Sequence, residues 1–141
     1  IDRYGKSATA MILGSLIVLG VHLTFAYTMV SPYIPVIFLG IAFSLVPAAM
    51  WPSMVKLVKD SRIGTAYGIM YSVQNLGLWG IPLLAGIILD KTNPGNPLVA
   101  DYTMTILMFA GLGLVGLLFS LLLKFEDKKK AFGIELPLNK K

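Results

Sequence analysis

Cysteine is absent from all 141 residues, which excludes a disulfide scaffold, cysteine-ligated zinc and thiol nucleophiles. Histidine occurs once, at His22, so a multi-histidine metal site cannot be assembled. Charge is sparse as well: 13% of residues are charged, against 56% hydrophobic. A soluble globule of this length needs a charged shell around its core, and this composition cannot supply one. The net charge of +5 would suit nucleic acid if it were clustered on one face. Instead the basic residues lie between apolar runs and in the tail, which is where membrane proteins carry them. No resident cofactor, metal or nucleic-acid partner is therefore expected. No nucleophile–base pair is visible either, so an enzyme is not expected. The chain opens at Ile1, without an initiator methionine or signal peptide, and is expected to be a piece of something longer.

What is present is four long apolar runs, at about residues 8–30, 33–58, 64–89 and 102–123. At about 1.5 Å per residue each can cross a hydrocarbon core of about 30 Å with some tilt. The expected fold is an all-α polytopic membrane bundle of four transmembrane helices. Residues 1–7 form a leading loop and residues 124–141 a basic tail. The links between runs are short, which predicts that sequential helices are antiparallel neighbours.

Orientation follows from the twelve basic residues. Eleven fall on one side of the expected spans, from Arg3 and Lys6 through Lys56, Lys59 and Arg62 to the six lysines after the fourth run. Lys91 alone falls on the other side. By the positive-inside rule both ends are cytosolic, and the segment from Asp90 to Pro97 faces outward or into a lumen. The cell (inner) membrane is the expected location, with the lysosomal membrane as the alternative.

Polar residues inside such runs are expensive and mark function or helix association. On the third run Tyr67, Tyr71, Gln74, Asn75 and Leu78 fall on one helical stripe. Gln74 and Asn75 either line a cavity or hydrogen-bond a neighbouring helix. Pro47 and Pro52 interrupt the second run and weaken the hydrogen bonds to the carbonyls of Phe43 and Ala48, as a gate or as a passive kink. Trp51, between them, is either a cavity residue or an interfacial anchor. His22 is the one ionisable group well inside a run, with proton coupling and a hydrogen bond to a neighbour as its two readings. The fourth run, with Thr105 and Ser120 as its notable polar groups, is expected to face lipid.

The opening Asp2-Arg3-Tyr4-Gly5-Lys6 resembles the Asp-Arg-x-Gly-Arg/Lys core of a cytoplasmic loop motif of the major facilitator superfamily. The motif residues that match are Asp2, Arg3, Gly5 and Lys6. The resemblance covers essentially the whole chain and implies that the four spans are the ninth to twelfth helices of a twelve-helix facilitator. Trp51-Pro52-Ser53 and the segment Gly64-Thr-Ala-Tyr-Gly through Gln74-Asn-Leu-Gly-Leu78 resemble the subgroup of the lysosomal dipeptide transporter and its bacterial relatives. The resemblance implies a secondary active or facilitative transporter (a symporter or uniporter) of small organic solutes, peptides among them, working by alternating access. It also implies a small-molecule substrate, membrane lipid and the missing N-terminal helices as partners. The alternative is a tetraspan structural or assembly subunit. A complete four-helix proton-coupled exporter is disfavoured, since every Asp and Glu lies outside the runs or at their edges.

Overall fold

In the computed structural model, residues 5–95 and 98–137 are described; Asp2 and Arg3 of the opening motif lie outside them. Four α-helices account for most of the chain: α1 Ser7–Tyr27, α2 Tyr33–Leu57, α3 Ile63–Thr92 and α4 Thr103–Lys130. All four are long and apolar enough to cross a membrane. The chain is an all-helical, multi-pass membrane protein, as the apolar runs predict.

Local chemistry sets the helix ends. Pro32 stands at the N-cap of α2 and Pro35 in its first turn, where backbone amides have no intrahelical acceptor to lose. A single 3-10 turn, Asp60–Arg62, leads into α3. At the far end α4 closes on Ala131, which takes a left-handed conformation (φ 53°) while its amide donates to the carbonyl of Asp127 at 2.8 Å. Lys128, Lys129 and Lys130 lie in its last turn, where cations complement the helix dipole. The basic segment that follows the fourth apolar run thus begins as helix.

The packing is not that of a simple sequential bundle. The most extensive contact is between α1 and α4, followed by α1 with α2, while α3 touches α2 and α4 only sparsely. Sequential helices do touch, as the short links predict, but the non-sequential pair α1 and α4 packs most extensively. The cause lies in side-chain size. Ala8, Ala42, Ala49 and Ala110 are buried, as are Ser7, Ser15, Ser53 and Ser120. Small residues let helix backbones approach closely where lipid tails offer no hydrophobic drive for association. At Gly113 of α4 an added Cβ would stand 3.2 Å from the amide nitrogen of Leu19 and from a Val18 methyl of α1.

The same packing corrects the picture of α4 as lipid-facing on every side. Thr105, Ala110, Gly113, Ser120 and Asp127 form its buried face. The large side chains point the other way: Phe43, Val73, Leu114 and Phe119 are among many that stay exposed. This inverted distribution suits hydrocarbon or further helices as the surroundings. By contrast, nothing among the described residues lies within 4 Å of where a Cβ on Gly64 or Gly68 would stand, although their spacing suggests a close-packing face.

Candidate functional site

Polar and aromatic groups converge where the second half of α2 meets the first half of α3. Trp51 of α2 stacks against Tyr71 of α3 with ring centroids 4.6 Å apart, and against Tyr67 at 5.6 Å. The Tyr67 hydroxyl donates to the backbone carbonyl of Trp51 at 3.0 Å. One aromatic group therefore bridges two helices that otherwise touch little. Offset aromatic pairs of this kind add about 0.5–1.5 kcal/mol beyond buried area.

The stripe continues along α3 past this cluster. Gln74 and Asn75 are both exposed on the helix surface. The Asn75 amide donates to the carbonyl of Tyr71 in its own helix at 2.9 Å. No residue of α3 is buried, so among the described residues neither carboxamide is engaged as interhelical glue. A carboxamide pair in a membrane helix faces protein or a water-filled cavity, not lipid. The face of α3 that carries them is left uncovered by the described residues.

Pro47 and Pro52 lie inside α2, which runs as continuous helix through both. The carbonyls they leave weak, at Phe43 and Ala48, are not unwound as in a discontinuous helix. Each proline removes one bond, and the bonds on either side hold the cylinder. Just after Pro52 the Ser53 hydroxyl donates to the carbonyl of Ala49 at 2.7 Å, a back-bond that favours slight bending and not added rigidity.

His22 lies away from this cluster. Its Nδ1 is 2.7 Å from the carbonyl of Val18, one turn back in α1, and its ring stacks on Phe109 of α4 at 5.6 Å. It lines a cavity of about 390 Å³ between α1, α2 and α4, whose other walls include Val46, Pro47, Phe109 and Gly113. Histidine and aromatic cluster thus occupy different helix junctions. Thr105, also on α4, has a buried hydroxyl with no hydrogen-bond partner among the described residues.

Of the opening motif, Gly5 and Lys6 are described. Both take left-handed backbone conformations, at φ 70° and φ 60°, in the turn before α1. A Cβ at Gly5 would fall within 2.8 Å of the backbone of Glu135, Leu136 and Pro137. Only glycine fits there, because φ is positive and the tail crosses directly above.

The sequence reading missed the residues that hold this turn. Glu135, Asp127 and Lys56 form a polar group around the tail, although none belongs to a recognisable motif. The acidic residue within a basic helix end, Asp127 among the lysines, was the available signal.

Comparison with known proteins bears on the family. The family model described as Major Facilitator Superfamily matches residues 1–136. Among curated relatives, lysosomal dipeptide transporter MFSD1 of Gallus gallus is 40% identical over 90 residues, covering 64% of this chain and 20% of that protein. The Homo sapiens protein of that name is 40% identical over 91 residues, 64% of this chain and 20% of its own length. The Danio rerio protein is 33% identical over 136 residues, 96% of this chain and 28% of its length. The chain therefore spans between a fifth and under a third of these relatives. No solved structure matches it.

Proposed function

The chain belongs to the major facilitator superfamily, and on that premise we propose that it is the four-helix C-terminal portion of a transporter that moves small organic solutes by alternating access. The family supports transport rather than catalysis. The relatives' printed name supports dipeptides or similar solutes as the cargo. The same name supports the lysosomal membrane as the alternative to the cell (inner) membrane.

The observation that carries the site is the open face of α3. Trp51, Tyr67 and Tyr71 form an aromatic wall, and the exposed Gln74 and Asn75 continue it, Asn75 with one amide hydrogen already given to the Tyr71 carbonyl. Aromatic walls with a few convergent polar groups are the usual composition of a small-solute site. Trp51 closes one end of the path against α3. Gln74 and Asn75 contact solute or its hydration water. Pro47 and Pro52 soften α2 behind Trp51 without breaking it. His22, half-buried and stacked on Phe109 at another junction, has no part in this wall. In this reading the motif at residues 2–6 is a cytosolic loop, and the missing N-terminal helices complete the cavity.

The test is uptake by the full-length protein in vesicles, with a radiolabelled dipeptide as the probe and rates normalised to folded protein. Trp51→Ala, Gln74→Ala and Asn75→Ala are each expected to lower normalised uptake at least several-fold. Unchanged uptake in all three removes this face of α3 from the site. No saturable uptake by the unmodified protein favours the tetraspan structural subunit.

A further inference from the structure

The ends of α1, α2 and α4 that carry most of the basic residues meet at a four-residue segment of the tail, Gly133–Leu136. Ile134 in this segment is fully buried, although it lies outside every helix. The segment turns on Gly133 (φ 79°), with the Leu136 amide donating to the Gly133 carbonyl at 3.0 Å.

Three helices hold it, each by different chemistry. From α4, the buried carboxylate of Asp127 accepts the amides of Ile134 at 2.9 Å and Glu135 at 3.2 Å. From α2, the Lys56 ammonium donates to the Gly133 carbonyl at 2.8 Å and also to the carbonyl of Leu136. Towards α1 the segment supplies the acceptor. The Glu135 carboxylate takes the Thr9 amide at 2.9 Å and the Thr9 hydroxyl at 2.7 Å.

That last contact serves a need of α1. Its own N-cap, Lys6, is left-handed and makes no side-chain cap. A helix start leaves amides unsatisfied and carries partial positive charge, and a carboxylate satisfies both. Glu135 does this from 126 residues away in sequence. Its backbone carbonyl also accepts the Lys6 amide at 3.0 Å, and Lys124 of α4 donates to the Thr9 hydroxyl at 2.7 Å. The loop before α1 is thereby fixed to α4 through the tail. Residues of α3 take no part in any of these bonds.

We propose that Gly133–Leu136 is an intramolecular clasp that locks α1, α2 and α4 into one rigid body and fixes the Gly5–Lys6 turn, leaving α3 outside the locked set. Glu135 and Asp127 are its positioning residues. The clasp rests on packing and hydrogen bonding, and holds whatever solute the transporter carries.

The experiment uses the full-length protein in membranes, with any cysteines outside these 141 residues replaced. First, Thr9→Cys and Glu135→Cys introduced together are expected to be joined by a short-spacer bis-methanethiosulfonate, which spans the gap that the Glu135 carboxylate bridges in the native protein. Lys130→Cys with Thr9→Cys serves as the comparison and stays uncrosslinked. Second, single Ile134→Cys is expected to react with a maleimide at least tenfold more slowly than single Lys130→Cys. Adding Asp127→Asn should reduce that gap to less than threefold, whereas adding Glu126→Gln, on the exposed side of α4, should leave it intact. Absence of the Thr9–Glu135 crosslink, equal reactivity of the two single cysteines, or a gap untouched by Asp127→Asn overturns the clasp. The crosslinking arm does not depend on how well Ile134→Cys itself packs.

Discussion

At the scale of single residues, the cluster of α2 and α3 separates two roles that sequence alone leaves joined. Tyr67 both stacks on Trp51 and donates a hydrogen bond to its carbonyl, so its hydroxyl has a structural task. Gln74 is exposed on a helix with no buried residue. Interhelical hydrogen bonds in membrane bundles average about 0.6 kcal/mol. Tyr67→Phe should therefore lower stability by about that amount, seen as a small drop in thermal midpoint in detergent, with uptake per folded molecule nearly kept. Gln74→Ala should do the reverse, leaving the midpoint unchanged and reducing normalised uptake. A midpoint drop in Gln74→Ala larger than in Tyr67→Phe would turn the carboxamide into helix glue. The stripe itself was legible in the sequence, since a period of 3.6 places Tyr67, Tyr71 and Gln74 together. Its pairing with Trp51 was not, because no pattern within one helix states which partner it meets.

At the scale of helices, the apolar runs were legible because a membrane span demands about twenty consecutive apolar residues. Which spans press together was not legible, because lipid-facing and helix-facing positions are equally apolar. Small residues decide it, and glycine positions of similar appearance differ. At Gly113 an added Cβ meets backbone of α1, at 3.2 Å from Leu19 N and 3.3 Å from its Cα, while at Gly111 nothing lies within 4 Å. Gly113→Ala should thus cost about 1–3 kcal/mol through forced separation of α1 and α4. Gly111→Ala should be neutral or gain up to about 1 kcal/mol from helix propensity. Equal thermal midpoints for the two variants would contradict the close α1–α4 contact.

The start of α4 allows a test by pH. Asn93, beyond the end of α3, donates to the carbonyl of Asp101 at 2.9 Å and accepts the Asp101 amide at 2.6 Å, closing the intervening loop. Asp101 in turn accepts the Thr103 amide at 2.9 Å. The Thr103 side chain first, and this backbone bond second, hold its carboxyl below the ordinary value of 3.8. A depressed carboxyl stabilises the fold above its unfolded value and loses that contribution as pH falls through the folded one. The difference in thermal midpoint between the native protein and Asp101→Asn should stay constant from pH 7 to about 5 and shrink below about 3.8. A difference that already fades at pH 6 would show that the carboxylate is not the capping group.

For the whole molecule, the unequal helix packing and the basic asymmetry lead to one statement about how the chain sits in its membrane. Arg62 lies exposed in the turn before α3, on the side that carries eleven of the twelve basic residues. Val99 lies exposed between α3 and α4, on the side that carries only Lys91. If α3 crosses the bilayer, the two positions are on opposite faces: its 30 residues rise about 45 Å, longer than the hydrocarbon core and enough to carry both ends into water. The positive-inside rule then puts Arg62 in the cytosol and Val99 outside or in a lumen. Because the 141 residues hold no cysteine, Arg62→Cys and Val99→Cys report cleanly once any others in the full-length chain are removed. In intact cells or sealed right-side-out vesicles an impermeant maleimide should label Val99→Cys and not Arg62→Cys. Permeabilisation should make both react. Reversed labelling would leave α3 as a span and invert the orientation, moving the tail clasp and the aromatic wall to the opposite side of the membrane. Equal labelling of both before permeabilisation would remove α3 as a span, and with it the open polar face on which the transport reading depends.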